Sequence, residues 1–358
     1  MYRIAIYTIC LNEEKFAQRF MDCIKNEANG IFITDTGSTD DTVKILEANG
    51  AIINKIKISP WRFDVPRNIS MNFIPKDFDI IVCIDLDEIL SPGWADAIRR
   101  SWTSDTTRLR YQYIWSVLHD GSPGITYWYD KITTRNGYRW VKPVHETLQF
   151  YGESEVETYC EGFTLTHLPD HTKSRGNYLQ LLELGCKEDP EDDRSSHYLG
   201  REYMFHSMYD KAIIELGRHL NLERSVWCAE RCASMRFLAR CHSSLGNIYE
   251  AERWALRACA ESPDDREPWF DLSKIYYSMN NWYGLYYTTK RILSITKRTK
   301  TYICETEAWS SHPYDYASIA AYNLGLYKEA EDLCLEAIKL DDSDKRLKSN
   351  LEIIRVNI

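Results

Sequence analysis

Hydrophobic and polar positions in the first part of the chain form short apolar runs separated by amphipathic segments. The apolar runs lie at 4–9, 30–34, 51–58 and 80–84. After the first run, Phe16, Phe20 and Ile24 keep the spacing of one helix face. The run at 80–84 does not alternate with polar residues, which is typical of a strand buried on both faces of a parallel sheet. Alternating strands and helices of this kind predict a doubly wound α/β domain.

The last of these strands ends in three carboxylates, Asp85, Asp87 and Glu88, within the acidic segment 85–88. Ligands of open α/β sheets bind at the carboxyl ends of the strands, and carboxylate oxygens suit Mg²⁺ or Mn²⁺ that also grips phosphates. We therefore predict a metal-assisted phosphate site there. The alternative is that the acidic segment only caps the next helix, because Ser91-Pro92-Gly93-Trp94 has the composition of a helix start.

The loop after the second strand contains turn and cap residues. Gly37 permits a tight turn, and Ser38 with Asp41 fits a capping box at the start of a helix. Gly50 stands in the usual stop position of that helix. Beyond residue 94 the pattern changes to short strands rich in aromatic residues, at 110–115 and 127–129. Their rings suit stacking against sugars and equally suit packing in a half-buried sheet.

Four motifs follow one another in the first half: Asn12-Glu13-Glu14, Asp35 to Asp40, Arg67-Asn68 and Asp85-Leu86-Asp87-Glu88. In this order and spacing they resemble family 2 glycosyltransferases of the GT-A fold. The resemblance implies a nucleotide-sugar donor and a divalent Mn²⁺ or Mg²⁺. The donor-binding residues that it implies are Thr8, Asn12, Glu14, Asp35, Arg67 and Asp85. In that pattern Asp35 lies near the base and Asp87 holds the metal that bridges the diphosphate.

The resemblance extends to residues that would act on the acceptor and the metal. Val144-His145-Glu146 is similar to the Val-His-Glu of many relatives. Inverting transfer needs a base for the acceptor's proton, so we predict Glu146 in that role, with His145 second. His167 resembles a third protein ligand that some GT-A enzymes add to the metal. The alternatives are a surface ion pair for Glu146 and a polar core role for His167.

From about residue 174 the sequence becomes rich in helix formers and repeats. Gly200 and Ala212 fit the small positions where the two helices of a tetratricopeptide repeat cross, and Ala251 and Leu285 are 34 residues apart, which is the period of that repeat. The pattern predicts four helix hairpins stacked as a solenoid. We therefore predict an α/β plus all-α protein, with a GT-A domain at 1–173 and a helical repeat domain at 174–358.

Composition and charge restrict the environment and the partners. A net charge of -9 gives no global attraction to nucleic acid or to an anionic membrane, although a local basic groove stays possible. The 11 cysteines are odd in number and lack zinc-binding spacing, which favours core thiols and a reducing cytoplasm, that of a bacterium or of an infected host cell. No apolar run of about twenty residues occurs, so we expect no membrane insertion.

These features lead to a metal-dependent, inverting glycosyltransferase as the predicted function. The expected acceptor is a protein, peptide or glycan, recognised by the concave face of the repeats; the repeats could instead serve as a packing platform or a homodimer interface. His167-Leu168-Pro169-Asp170 and Lys173-Ser174-Arg175-Gly176 also resemble phage-borne relatives, so a hydroxylated base in DNA is an alternative acceptor. A repeat scaffold with a dead transferase domain is the non-enzymatic alternative.

Overall fold

The computed structural model describes residues 1–118, 121–170, 178–299 and 301–358. The chain divides into two compact units, the first formed mainly by Met1–Gly185 and the second by Cys186–Thr299 with Ile303–Ile358. The domain boundary predicted after residue 173 lies outside the described residues and stays a prediction. The same holds for the segment 173–176, on which part of the resemblance to phage-borne proteins rests.

The first unit is built on an eight-stranded mixed sheet in the order β3-β2-β1-β4-β7-β6-β10-β5, with β8 and β9 as a separate hairpin. The strands are β1 (Ile4–Cys10), β2 (Gly30–Asp35), β3 (Ile52–Lys55), β4 (Ile80–Cys83), β5 (Glu88–Leu90), β6 (Arg108–Ile114), β7 (Thr126–Thr134), β8 (Tyr138–Val141), β9 (Thr147–Phe150) and β10 (Glu157–His167). The first four strands are parallel to their neighbours, and β7 then joins β4 in the antiparallel direction. The predicted α/β part of the fold class is confirmed.

Helices cover both faces of the parallel strands. They are α1 (Glu14–Ile24), α2 (Thr42–Ala48), α3 (Asp64–Phe73) and α4 (Trp94–Ser101), and α5 (Tyr178–Glu188) follows the sheet. Alternate residues of β1 enter two different cores: Ile4 and Ile6 pack in the cluster that contains α1 and α4, whereas Ala5 and Tyr7 pack in the cluster that contains α3. The central strands are therefore buried on both faces, as their unbroken apolar runs predict.

One alternative and one local prediction for this unit are wrong. The acidic segment does not cap the next helix, because β5 intervenes and α4 begins after Gly93, whose φ of 83° is left-handed. Ser38 does not cap α2 either: its hydroxyl accepts a hydrogen bond from the backbone N–H of Asn12 at 2.9 Å, so it joins two loops. In both places a contact distant in sequence replaces the local one that the pattern suggests.

The second unit consists of antiparallel helix pairs. Its helices are α6 (Asp193–Phe205), α7 (Tyr209–Asn221), α8 (Cys228–Ser244), α9 (Ile248–Glu261), α10 (Arg266–Ser278), α11 (Trp282–Ser294), α12 (His312–Asn323), α13 (Tyr327–Leu340) and α14 (Lys345–Arg355), with a short 3₁₀ helix at Thr306–Trp309. The pairs α6–α7, α8–α9, α10–α11 and α12–α13 match the four predicted repeats. The all-α part of the fold class is confirmed.

No helix within the described ranges combines the length and the apolar character needed to cross a bilayer.

Small residues sit where paired helices cross, as the repeat pattern predicts. Ala212, Ala251 and Ala330 are fully buried. A Cβ atom added to Gly200 would lie 2.6 Å from Cγ of Leu216 and 3.2 Å from its backbone nitrogen. Helices α6 and α7 therefore approach so closely that only glycine fits without moving them.

This close approach gives a stability prediction with an internal control. Gly200→Ala should destabilise the second unit by about 1–3 kcal/mol, because α7 must shift to admit the methyl group. Gly217→Ala in α7 should instead stabilise it by about 0.5–1 kcal/mol, since its added Cβ meets nothing within 4 Å and alanine favours the helix. Urea unfolding followed by far-UV circular dichroism measures both changes, and equal effects of the two substitutions would contradict the proposed close crossing.

Candidate functional site

An ionic cluster joins four parts of the first unit beyond the carboxyl end of β4: helix α3, the acidic segment, strand β7 and the loop between β8 and β9. Arg67 Nη2 lies 2.9 Å from Asp85 Oδ1, and Lys131 Nζ lies 3.2 Å from Asp85 Oδ2. Arg67 also donates from Nε to Glu146 Oε1. The side chain of Glu146 is only 12% exposed and that of Arg67 only 7%. We call Arg67, Asp85, Lys131 and Glu146 the ionic cluster; it brings together three residues predicted from sequence.

Helix α3 fixes the hairpin that carries Glu146. The side chain of Asn68 donates to the carbonyl of Trp140 at 2.8 Å and accepts from its N–H at 2.9 Å. The Arg67 guanidinium lies over the Trp140 ring, 5.1 Å from the ring centre. The Arg67-Asn68 motif therefore has two functions, since one side chain secures β8 while the other reaches Asp85 and Glu146.

The loop 142–146 between β8 and β9 holds both predicted catalytic residues in a constrained backbone. Lys142 and His145 have positive φ values of 81° and 50°, which are uncommon outside glycine and concentrate at functional sites. The His145 ring packs edge-on against Tyr178, with ring centres 5.8 Å apart. The contacts of Glu146 with Arg67 and of His145 with Tyr178 place these two neighbours in different surroundings.

A long-range strand pair brings His167 to the acidic segment. Strand β10 runs antiparallel to β5, with His167 opposite Glu88, and the backbone N–H of Leu168 donates to the Asp87 carbonyl at 2.8 Å. As a result His167 Nε2 lies 3.5 Å from Asp87 Oδ2. The two residues predicted as metal ligands are thus neighbours, although eighty positions separate them in the sequence.

The partners of the His167 ring fit a cation between it and Asp87. Nδ1 lies 3.3 Å from the carbonyl oxygen of Trp115, and the two rings stack with centres 4.6 Å apart. A proton on Nδ1, donated to that carbonyl, leaves the lone pair of Nε2 facing the Asp87 carboxylate. Burial lowers the pKa of His167, but Asp87 outweighs burial and raises it overall. Because the Nε2 lone pair of His167 faces the Asp87 carboxylate, a positive charge between them is stabilised. Either a proton or a metal ion can supply that charge.

Three further predicted residues hold the loop that follows β2. Asp35 accepts from the backbone N–H of Ser38 at 3.0 Å, Asn12 Oδ1 accepts from that of Thr39 at 2.8 Å, and Glu14 Oε2 accepts from that of Asp41 at 3.0 Å. The side chains of Asn12 and Glu14 thus fix the loop 36–41. Their direct contact with a donor stays a prediction, as does that of Asp35.

Thr8 is buried at the end of β1. Its hydroxyl donates to the carbonyl of Ile9 at 3.3 Å, and its own carbonyl accepts from Ser70 of α3 at 2.7 Å. Only 1% of Thr8 is exposed. Its predicted contact with the nucleotide therefore also stays a prediction.

The charges of the ionic cluster are fixed by its geometry. Burial alone raises the pKa of the Asp85 carboxyl, but Arg67 and Lys131 reverse this and hold the pKa well below its usual range. Burial lowers the pKa of Lys131, yet Asp85, Tyr129 and Glu88 raise it above the ordinary value. Cys83 lies 3.3 Å from Arg67 Nη1, and burial raises the pKa of its thiol to about 11. At neutral pH the cluster therefore contains ionised Asp85 and Lys131 beside a protonated thiol.

Two supporting residues, Lys131 and Trp115, were not predicted from sequence, and a third, Glu88, belongs to the predicted acidic segment without an assigned role. Lys131 lies on β7 with Nζ 5.0 Å from the centre of the Tyr129 ring, and a charged residue within an aromatic-rich strand is a signal that could have found it. Glu88 accepts from the backbone N–H of Asp85 at 2.8 Å and from the Tyr113 hydroxyl at 2.6 Å, which fixes the acidic segment. Trp115 follows β6, and only the fold reveals that it supports His167.

No family model matches the chain. Similarity to curated proteins is partial and falls on proteins named as uncharacterized glycosyltransferases. One from Rickettsia bellii (strain RML369-C) is 33% identical over 135 residues, which is 37% of this chain and 45% of that protein. One from Rickettsia felis is 31% identical over 122 residues, which is 33% of this chain and 41% of that protein. The chain thus spans less than half the length of these curated relatives.

Solved structures of tetratricopeptide proteins are weakly similar. MamA aligns with a TM-score of 0.38 and 17% identity, over 47% of this chain and 89% of MamA. YrrB, described as a TPR protein with an unusual peptide-binding site, aligns with a TM-score of 0.40 and 11% identity, over 49% of this chain and 82% of YrrB. Scores this low support no conclusion about function. The glycosyltransferase relatives and the geometry around Asp87 are therefore the two observations that bear on what the protein does.

Proposed function

We propose that the protein is a metal-dependent, inverting glycosyltransferase that moves a sugar from a nucleotide-sugar donor to an acceptor hydroxyl or similar nucleophile. The observation that carries the proposal is that His167 lies 3.5 Å from Asp87, two residues after Asp85 of the ionic cluster, beyond the carboxyl end of β4, where α/β folds bind ligands. The partial relatives named as glycosyltransferases support the same reaction class.

Asp87 and His167 are the residues that would hold a divalent cation. One carboxylate and one imidazole are acceptable ligands for Mn²⁺, and the side chains are 18% and 13% exposed, so a donor diphosphate can complete the coordination from solvent. When bound, the cation supplies Lewis-acid stabilisation of the departing nucleoside diphosphate. The Trp115 carbonyl and ring hold the His167 ring, and Glu88 fixes the backbone of the acidic segment at Asp85.

Glu146 is assigned the role of the general base that takes the proton of the acceptor. As the acceptor oxygen forms its bond to the anomeric carbon, the bond from that carbon to the diphosphate oxygen breaks on the opposite face, which inverts the centre. The acceptor's proton passes to Glu146 Oε2, because Oε1 already accepts from Arg67 Nε. Arg67 thereby orients the base and at the same time fixes Asp85, which is assigned to the donor ribose or sugar.

The loop 36–41 is assigned the role of binding the nucleotide base of the donor. Asp35 lies at the end of β2, next to the end of β1, and its carboxylate is held by backbone N–H groups of that loop. Asn12 and Glu14 position this loop through their hydrogen bonds to its backbone, in addition to their predicted contact with the donor. A donor that spans from this loop to Asp87 would place its diphosphate at the predicted metal ligands.

The acceptor class is tested separately from the donor. A protein, peptide or glycan acceptor is proposed, and a hydroxylated base in duplex DNA is the alternative. Binding of DNA requires local neutralisation of phosphates and falls steeply with salt. Gel-shift assays at low and at moderate salt therefore distinguish the two, because the proposed acceptors predict no DNA complex at either concentration.

Donor binding can be tested without knowledge of the acceptor. We expect one member of a nucleotide-sugar panel to raise the melting temperature when Mn²⁺ is present and to lose this effect in chelator. A ligand that binds only the folded state at a hundredfold excess over its Kd stabilises it by about 2.7 kcal/mol. A differential scanning fluorimetry screen measures the shift. No shift with any donor would contradict the proposal and favour the non-catalytic scaffold, whereas equal shifts in chelator would contradict its metal dependence.

A further inference from the structure

A buried group of three side chains in the helical unit has the composition of a second cation site. Asp193 lies in the first turn of α6, His219 in the last turn of α7 and Glu230 in the first turn of α8. Each offers one ligand atom, and these atoms all lie within 4.8 Å of one another. His219 is fully buried and Glu230 is 3% exposed. Three helices of the first two repeats therefore converge on one point with an imidazole and two carboxylates.

The surroundings of His219 orient its ring toward the carboxylates. Nδ1 lies 2.9 Å from the hydroxyl oxygen of Ser234, which in turn lies 2.8 Å from Nδ1 of His197. When Ser234 donates its hydroxyl proton to Nδ1 of His197, it accepts a proton from Nδ1 of His219. In this arrangement His219 donates from Nδ1 and keeps the lone pair of Nε2. Hydrogen-bonded outer partners of this kind orient histidines that bind metals.

The distance from His219 Nε2 to the Glu230 carboxylate is too long for a direct hydrogen bond between them. Nε2 of His219 lies 3.6 Å from Glu230 Oε1, which is beyond a direct hydrogen bond, and 3.0 Å from the Ser225 hydroxyl. Two carboxylates and an imidazole lone pair that face one another are stabilised by a positive charge among them.

We propose that Asp193, His219 and Glu230 bind a divalent cation of the zinc class that ties α6, α7 and α8 together. One imidazole nitrogen and two carboxylate oxygens are an accepted ligand set for Zn²⁺, which binds four ligands in structural sites. Ser225 is the side chain best placed to take part in the remaining coordination. The site is independent of the proposed transferase chemistry, because its role is to link the first two helix pairs.

The convergence of Asp193, His219 and Glu230 also has an explanation that involves no metal, and this explanation predicts that no zinc binds. Carboxylates in the first turn of a helix and histidine in the last turn interact favourably with the helix dipole, and a protonated His219 could pair with Glu230 without metal. In that case His219 and Glu230 form a buried ion pair beside Asp193, and the three side chains offer no site for added Zn²⁺. The two explanations differ in zinc stoichiometry.

The test uses the full chain carrying Asp87→Ala, so that the proposed catalytic cation ligand is already removed. Chelator-treated protein is titrated with Zn²⁺ against a chromogenic competitor, and bound metal is counted by mass spectrometry. We expect one tightly bound equivalent and a rise in melting temperature of at least about 3 °C. Adding His219→Gln should abolish both effects. Adding Asp210→Asn, which removes an exposed carboxylate from α7, should leave both unchanged.

A milder variant covers the case in which His219→Gln does not fold. Asp193 is half-buried in the first turn of α6, and Asp193→Asn should weaken zinc binding at least tenfold while far-UV circular dichroism stays unchanged. Absence of bound zinc in the Asp87→Ala protein, or equal affinity with and without Asp193→Asn, would overturn the proposal. Neither result depends on transferase activity, so the outcome is separate from that of the proposed function.

Discussion

Replacing Asp87 with alanine is expected to lower sugar transfer from the nucleotide donor by at least about a hundredfold. The side chain lies 3.5 Å from His167 Nε2 and is one of the two assigned cation ligands. On the proposed mechanism, its loss would remove the charge that anchors the metal, and with it several kcal/mol of stabilisation of the departing diphosphate. Release of nucleoside diphosphate from the donor, measured at saturating Mn²⁺, reports the effect even before the acceptor is known.

The matched control is Asp96→Ala, which removes an exposed carboxylate from α4 in the same unit. It should retain full activity and an unchanged metal requirement. Circular dichroism and the melting temperature should show that both variants fold. If Asp87→Ala kept more than half of the metal-dependent release, the assignment of the metal to this residue would be wrong.

Glu146→Gln is expected to reduce kcat for transfer by about 10²–10⁴ while the KM for the donor changes little. Glutamine keeps the shape of the side chain and an oxygen for the Arg67 Nε bond, but it cannot take the acceptor's proton. Steady-state kinetics with varied donor and a fixed acceptor separate the two parameters. Because the ionic cluster loses one negative charge, the folded fraction must be checked in parallel.

His145→Gln discriminates between the two catalytic predictions. His145 packs on the Tyr178 ring, whereas Glu146 contacts Arg67, so His145→Gln should change kcat by much less. A fall of kcat in His145→Gln as large as that in Glu146→Gln would move the base to the histidine. Full activity of Glu146→Gln would remove the carboxylate from the mechanism.

Local sequence patterns predicted those parts of the fold that depend on burial. The unbroken apolar run before Asp85 predicts a strand covered on both faces, and Ile80 and Ile81 indeed enter different cores. Gly200 and Ala212 identify the crossing of α6 and α7 because only small side chains fit at that distance. In both cases the residue type itself reports the contact.

Contacts between distant strands were not predictable in the same way. The strand β5 is only three residues long, and it forms because β10 pairs with it and so brings His167 to Asp87. Periodicity cannot reveal a strand this short. The bond between Arg67 and Glu146 likewise depends on the anchoring of β8 by Asn68. The motifs therefore named the candidate residues, but the fold determined which of them are neighbours.

The most direct test is the location of manganese and diphosphate in crystals of the protein grown with Mn²⁺ and a nucleoside diphosphate. Anomalous difference density at the manganese edge should show an ion bound by Asp87 and His167. The diphosphate should bind the same ion, and the Glu146 carboxylate should face the space that the acceptor would occupy. An ion and a diphosphate bound elsewhere, with Asp87 still paired only to His167, would contradict the proposed transferase site.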